Sequence, residues 1–169
     1  MQITRNPSLT EQQFLGCVSA FVDVLNGELN SGAMYLRKLQ GQPKGAAFAF
    51  EMSLDRHRYG ALTVLDRWLT LVSTFGPHQK LSRYADIIAQ GRRKVRDAEE
   101  LLQRANQLID AAEGWPAETV EACLVAFQSV AGIFQEEREC AGQSASLGPM
   151  LTEEFREARG VFVRDLSAR

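Results

Sequence analysis

The chain is poor in the residues that build metal sites and disulfide frameworks. Its 169 residues include three cysteines and two histidines. The cysteines are odd in number and widely spaced, so they indicate neither a disulfide framework nor a zinc motif. Neither His57 nor His78 has a glutamate three residues before it, which excludes the di-iron pattern of helical bundles. The sequence predicts a protein without metal or other cofactor, whose cysteines are core residues in a reducing compartment.

Long hydrophobic runs and an excess of one charge are also missing. No stretch approaches the about 18 apolar residues of a membrane span, and the N-terminus lacks the apolar segment of a signal peptide. These two absences predict a cytoplasmic location and no membrane span. The formal net charge is −2, whereas nucleic-acid-binding proteins usually carry a basic excess. The composition therefore argues against nucleic acid as a partner.

Glycine and proline, by contrast, recur together at regular points along the chain. The four points are Gly41-Gln42-Pro43, Gly76-Pro77, Gly114-Trp115-Pro116 and Gly148-Pro149. Glycine ends a helix cheaply and proline fits the first turn of the next one. The pattern predicts four long helices and a short fifth one, at about 9–40, 46–75, 79–113, 116–141 and 152–167. Because short turns force neighbouring helices to pack side by side, we expect one all-α domain, an antiparallel up-down bundle of four long helices plus a short C-terminal helix.

Two segments allow more than one interpretation. The apolar spacing of the first predicted helix continues through 26–32, although the asparagines and glycines there would break a helix on propensity alone. We predict one helix, with two shorter helices and a turn as the alternative. Residues 46–54 alternate like a strand but also pair at helical spacing, and a lone strand would have no partner, so we predict a helix. Trp115, between glycine and proline, is predicted to plug one end of the bundle.

A heptad pattern is clearest in the third predicted helix. Its seam alternates large and small residues in the order Leu81, Tyr84, Ile88, Gly91, Val95, Ala98, Leu102, Ala105, Ile109 and Ala112. Small residues let a second backbone approach closely. This seam is therefore a candidate for close packing within the bundle or for coiled-coil self-association.

Two further groups of residues are candidates for binding a partner. The densest basic run is made of Arg92, Arg93, Lys94 and Arg96. It either docks an acidic partner segment or forms a solvated helix face, since opposite charges lie within one turn. The last predicted helix carries an apolar stripe that includes Phe155 and Phe162. Both groups point to a protein partner or to self-association.

The segment Asp55-Arg56-His57-Arg58-Tyr59-Gly60 lies within the second predicted helix. It resembles the histidine phosphotransfer domains of bacterial two-component signalling, which are four-helix bundles with an exposed phosphoryl-accepting histidine. The resemblance implies that His57 accepts the phosphoryl group and that Arg56 or Arg58 steadies it. It also implies that Gly60 lets the partner domain approach. The lysine of that family is absent here, and Gly60 follows His57 by three positions instead of four. The other interpretation is a partly exposed histidine on a charged helix surface.

These observations lean against an enzyme. We expect a non-enzymatic cytoplasmic protein, an adaptor, chaperone-like binder or regulator, that presents a helical face to a protein partner. Such a surface would show as exposed apolar residues on the first or fifth helix. One alternative is a phosphorelay protein that uses His57. A further alternative is a bundle that senses a small ligand, which predicts an enclosed apolar pocket near Phe48, Phe50, Trp68 and Phe127.

Overall fold

The computed structural model describes residues 11–75 and 85–135. These residues form four helices: α1 (Glu11–Leu39), α2 (Phe48–Phe75), α3 (Ala85–Ala111) and α4 (Ala117–Ile133). Within these two ranges there is no strand, and the only bridge of β type joins Pro43 to Gly114. The all-α prediction is therefore confirmed for this part of the chain. The predicted fifth helix, with Phe155 and Phe162, lies outside the described residues.

The first helix is continuous through 26–32. Leu25, Leu29 and Leu36 are all buried on its inner face. Gly32 belongs to the same face and lies against α4, where a Cβ atom would come within 2.9 Å of Cε2 of Phe127. The alternative of two short helices is therefore wrong. Helix propensity alone predicts a break at Gly32, but this glycine is the residue that lets α4 approach α1 closely.

Residues 48–54 belong to the second helix, as predicted. The apolar alternation in this stretch does not mark a buried face. Leu54 is completely buried, whereas 66% of Phe48 and 58% of Met52 are exposed. The first turns of α2 therefore carry large apolar side chains on the outside of the helix.

Each helix packs against two others, in the pairs α1–α2, α2–α3, α3–α4 and α1–α4, which is consistent with a bundle. All four helices contribute to one apolar core. At one end of that core the Phe21 ring stacks on Trp68, with 4.5 Å between ring centroids, and meets the edge of Phe134 at 5.1 Å. These aromatic contacts join α1, α2 and the end of α4.

The heptad seam of α3 is used inside this chain. Five of the seam residues are fully buried, namely Val95, Ala98, Leu102, Ala105 and Ile109, and Ala112 is half-buried. The alternation of large and small side chains thus serves close packing against neighbouring helices of the same core. These buried positions are not accessible for coiled-coil pairing with a second copy.

Trp115 closes the other end of the core, and the predicted plug is confirmed by its burial. The Gly41 amide donates to the carbonyl of Trp115 at 2.8 Å, and the Trp115 amide donates to the carbonyl of Gln42 at 3.0 Å. The indole N–H donates to Oε1 of Glu51 at 2.8 Å, and the same oxygen accepts the Gly45 amide at 2.8 Å. Glu51 therefore ties both loops at this end to the first turn of α2.

Candidate functional site

The basic run does not form one patch. On α3, Arg93 and Arg96 are exposed, whereas Arg92 and Lys94 are half-buried. Successive residues of a helix point about 100° apart, so four near-consecutive cations cannot share a face. Only two of the four cations of the run are therefore exposed, which makes it a weaker anchor for an acidic segment than the sequence alone indicates.

Arg58 lies buried between α2 and α3. Its Nη2 donates to Oδ1 of Asp110 at 2.8 Å and to the Tyr59 hydroxyl at 3.3 Å, while its Nε lies 3.2 Å from Oδ1 of Asp55. Burial lowers the pKa of Arg58, but the hydrogen bonds to Tyr59 and Asp110 and the nearby carboxylates raise it more, so the net shift is upward. Arg58 is thus engaged within the bundle, which places it away from any phosphoryl group at the surface. Arg56 is the exposed arginine beside His57.

His57 lies on the seam between α1 and α2. Its Nδ1 is 2.6 Å from Oε2 of Glu28, and the two side chains are 24% and 26% exposed. The imidazole also stacks on Tyr35, with 5.7 Å between centroids and 12° between ring planes. Among its ring nitrogens only Nδ1 has a hydrogen-bond partner in the described parts of the chain. The histidine is half-buried and oriented, which is a more specific environment than a solvated helix surface.

Gly60 provides the space for the Glu28 carboxylate. A Cβ atom at position 60 would lie 2.8 Å from both Cδ and Oε2 of Glu28. That separation is shorter than a van der Waals contact, so any side chain there would displace the carboxylate. The structure therefore gives Gly60 a partner inside the chain, where the resemblance assigns its space to a docking domain.

Two more residues extend this seam toward the Trp115 end. Phe50 packs against Tyr35, with 6.1 Å between centroids. The Nζ atom of Lys38 lies 5.0 Å from the Phe50 ring and 5.4 Å from the Tyr35 ring, within the range of cation–π attraction. A row of partly exposed rings with a cation at one end and the Glu28–His57 pair at the other thus lies along α1 and α2.

A second surface is formed by the outward face of α2. Phe48, Met52 and Tyr59 are 66%, 58% and 56% exposed. Their spacing of four and seven residues places them on one face of the helix, together with Asp55 and Asp66. We call these five residues the α2 ridge. The sequence carried a signal for the α2 ridge. Asp55 and Asp66 are three helical turns apart, so they lie on one side of the helix, and charged residues at such a spacing indicate the solvent side.

The expected distribution of exposed apolar residues differs from the observed one. On α1 the exposed large apolar side chain among those described is Met34, whereas α2 carries Phe48, Phe50, Met52 and Tyr59. The expectation placed this surface on the first or fifth helix. Most of the described apolar stripe of α1 packs against α2 and α4, and the fifth predicted helix lies outside the described residues, so this expectation stays a prediction.

The four residues named for a ligand pocket differ in burial. Phe48 and Phe50 are exposed near the start of α2, while Trp68 and Phe127 are buried. Trp68 stacks on Phe21 and Phe127 covers Gly32. These contacts explain the two buried aromatics as core packing, and the ligand-sensing alternative stays a prediction.

Two kinds of special site are absent from residues 11–75 and 85–135. No group of three histidine, cysteine or acidic residues there could hold a metal ion. No helix of this region is long and apolar enough to cross a membrane. A comparison with family models, with curated proteins and with solved structures found no match for this chain. The two surfaces on α2 are therefore interpreted from their own geometry.

Proposed function

We propose that the protein is a non-enzymatic cytoplasmic interaction protein that binds an amphipathic helix of a protein partner along the α2 ridge. The observation that carries the proposal is the exposure of Phe48, Met52 and Tyr59 on one helix face. Taking about 200 Å² for a large side chain, the three expose on the order of 350 Å². Patches of about 300–600 Å² are the largest on typical monomers and often serve binding.

The chemistry of the ridge suits a helical partner. Methionine adapts its shape to different apolar side chains, and aromatic rings supply large contact areas at a small entropic cost. Arg58 donates a hydrogen bond to the Tyr59 hydroxyl and lies 5.0 Å from its ring centroid. Tyr59 is therefore held in place before a partner arrives, which reduces the entropy lost on binding.

The charges around the ridge favour a basic partner. Asp55 and Asp66 belong to the ridge, and Asp110 on α3 lies beside it through its contact with Arg58. Asp55 and Asp110 are 55% and 63% exposed even though both contact Arg58. Lysine or arginine residues flanking the apolar face of a partner helix would pair with these carboxylates.

An up-down arrangement of the four helices is part of the proposal. Phe21 near the start of α1 contacts Trp68 late in α2 and Phe134 after α4. At the opposite end, the loop after α1 is bonded to the loop before α4 through Gly41 and Trp115. Both sets of contacts support neighbours that alternate in direction, as the short loops require.

The test uses a synthetic amphipathic peptide of leucine and lysine as the probe, labelled for fluorescence anisotropy. Replacing Phe48, Met52 and Tyr59 by alanine should weaken its binding at least about tenfold, equivalent to about 1.4 kcal/mol. The matched control replaces Leu108 and Val125 by alanine; these residues are 45% and 51% exposed on α3 and α4. The control variant should bind the peptide as tightly as the wild type does.

A second peptide tests the charge argument. A leucine–glutamate peptide of the same pattern should bind the wild type more weakly than the leucine–lysine peptide, and added salt should narrow the difference. Equal loss of binding in the ridge variant and in the control would sink the proposal, since it would show a nonspecific apolar attraction.

A second candidate function is phosphoryl transfer through His57. The observation that favours it is the pairing of Nδ1 with Glu28, which leaves Nε2 without a partner on a half-exposed ring. Arg58 and Gly60 serve other purposes in the bundle, so Arg56 is the residue that remains to attract the phosphoryl group. Incorporation of an acid-labile phosphoryl group on His57 tests this function, and its absence would exclude it.

A further inference from the structure

We infer that His57 is a nucleophile that reacts through Nε2, that Glu28 is its positioning residue, and that Gly60 exists to admit the Glu28 carboxylate. The inference deepens the second candidate function and rests on it only for the choice of electrophile. Three contacts between α1 and α2 carry it: the Glu28–His57 hydrogen bond, the Tyr35–His57 stack and the approach of Glu28 to Gly60.

The Glu28 carboxylate decides where the imidazole proton lies. An ionised carboxylate only accepts hydrogen bonds, so the 2.6 Å contact requires a proton on Nδ1 of His57. When the ring carries a single proton, that proton is on Nδ1 and the lone pair is on Nε2. A histidine without such a partner divides its population between the two tautomers.

Tyr35 fixes the direction of that lone pair. Its ring lies 5.7 Å from the imidazole centroid and nearly parallel to it. Exchange of the two nitrogens by a ring flip would break the bond to Glu28 and interrupt this stack. The hydrogen bond and the stack therefore act together, and Nε2 is the ring nitrogen left for reaction on a side chain that is 24% exposed.

The neighbouring arginine favours an anionic electrophile. Arg56 is the exposed neighbour of His57 in the chain. An exposed guanidinium next to a nucleophilic histidine attracts phosphoryl groups. An acyl phosphate supplies such a group together with a good leaving group.

The transfer step balances without a further reactant. The Nε2 lone pair of His57 attacks phosphorus and forms an N–P bond, while the P–O bond to the acyl group breaks. The acyl carboxylate leaves with the bonding electron pair. The proton stays on Nδ1, so the product is a phosphorylated imidazolium whose positive charge lies beside the Glu28 carboxylate. Glu28 thus stabilises charge that appears only as the reaction proceeds.

Gly60→Ala separates this inference from a merely structural role of Glu28. The three atoms nearest to the new methyl group would all belong to the end of the flexible Glu28 side chain, so the bundle can keep its fold while the carboxylate moves away. Neither His57 nor Glu28 is altered in this variant. Gly132→Ala is the matched control, because a Cβ atom at Gly132 meets nothing within 4 Å.

The first measurement is the tautomer itself, by ¹⁵N NMR of histidine-labelled protein. The chain has two histidines, so His57→Gln identifies the signals of His57. At the high-pH limit of a titration, wild type and Gly132→Ala should show Nδ1 protonated and Nε2 with its lone pair. Glu28→Ala and Gly60→Ala should show a mixture of both tautomers. A mixture in the wild type would overturn the inference.

The second measurement is reactivity toward two electrophiles. With acetyl phosphate, labelling of His57 should fall roughly 10- to 100-fold in Glu28→Ala and Gly60→Ala, by analogy with metal-binding histidines that lose the carboxylate partner of their other nitrogen. Diethyl pyrocarbonate, an uncharged reagent that acylates imidazole, should show the same order of variants. Acylation in that order without any phosphorylation would refute the phosphoryl function and support the inference. Equal acylation of wild type and both variants would overturn the inference.

Discussion

Substitution by alanine should stabilise the protein at one glycine of α1 and fail to stabilise it at another. Gly27 and Gly32 both lie within α1, where alanine is favoured over glycine by about 0.8–1 kcal/mol. A Cβ atom at Gly27 would meet nothing within 4 Å, whereas one at Gly32 would lie 2.9 Å from Cε2 of Phe127. Helix propensity alone predicts that alanine raises the free energy of unfolding equally at both positions. The packing of α4 on α1 predicts that the gain is lost at Gly32.

The magnitude follows from the two contributions. Gly27→Ala should raise the free energy of unfolding by about 0.5–1 kcal/mol, because only the backbone term acts. At position 32 the methyl group pushes a ring that is 3% exposed and surrounded by core, and overpacking of this kind costs about 1–3 kcal/mol. Gly32→Ala should therefore be about 1–3 kcal/mol less stable than Gly27→Ala, and neutral or destabilising relative to wild type.

The assay is urea denaturation followed by circular dichroism at the helical band, with the slope of the transition compared among variants. Phe127→Leu removes the ring edge that the new methyl group would strike. In that background Gly32→Ala should lose its penalty, which a double-mutant cycle measures as a coupling energy. If Gly32→Ala stabilised the protein as much as Gly27→Ala does, the claim that Gly32 exists for close approach would be refuted.

Three more predictions concern single groups. Asp110→Ala should lower the free energy of unfolding by about 1–2 kcal/mol, because it strips a carboxylate from buried Arg58. Arg58→Met should lower the free energy of unfolding by less than Asp110→Ala does, as measured by urea denaturation, because it also removes the buried charge. A larger loss for Arg58→Met would contradict this reasoning. Burial and then the charge of Asp66 raise the pKa of Glu99, so the folded state holds this proton more tightly and stability falls as the pH rises through the carboxyl range. Glu99→Gln should therefore stabilise the protein slightly at pH 7 and lose its effect below about pH 3. An effect on stability that does not change with pH would contradict the raised pKa of Glu99. Burial raises the pKa of the Cys123 thiol to about 11, so iodoacetamide at pH 8.5 should alkylate it about 100-fold more slowly in folded than in unfolded protein, read by peptide mass spectrometry. Equal rates would disprove its burial.

Much of the fold was predictable because it depends on local rules. The helical period and the glycine–proline pairs placed the end of α1, the start of α2, the end of α3 and the start of α4 within a few residues of their observed positions. The predicted end of the fourth helix, at 141, lies eight residues beyond the observed end of α4. The burial of Trp115 followed from its place between Gly114 and Pro116. Continuity through 26–32 also followed, because a core stripe outweighs the propensity of single glycines and asparagines.

The candidate sites were predictable only in part. His57 was identified from its neighbours in the chain, but Glu28 was not, because the two are 29 positions apart. No spacing rule connects residues on different helices. Arg58 and Gly60 were assigned to a phosphoryl site by position along one helix, whereas their contacts with Asp110 and Glu28 depend on how α2 is rotated against its neighbours.

The aromatic residues of α2 show the same division. Hydrophobicity alone places Phe48 and Phe50 in one apolar group with Trp68, because it does not distinguish an outward ring from an inward one. The rotation of α2 placed Phe48 on the solvent side and Trp68 on Phe21. That rotation is decided by the fit of the whole core, which no window of sequence contains.

The sequence by itself determined an all-helical protein with long helices and short turns, since period, glycine and proline act within a few residues. Only the tertiary structure decided that Glu28 holds His57, that Gly60 admits Glu28, and that the α2 ridge faces solvent. The physical reason is that contacts between helices depend on their rotation and close approach, which are settled when four apolar faces are buried together.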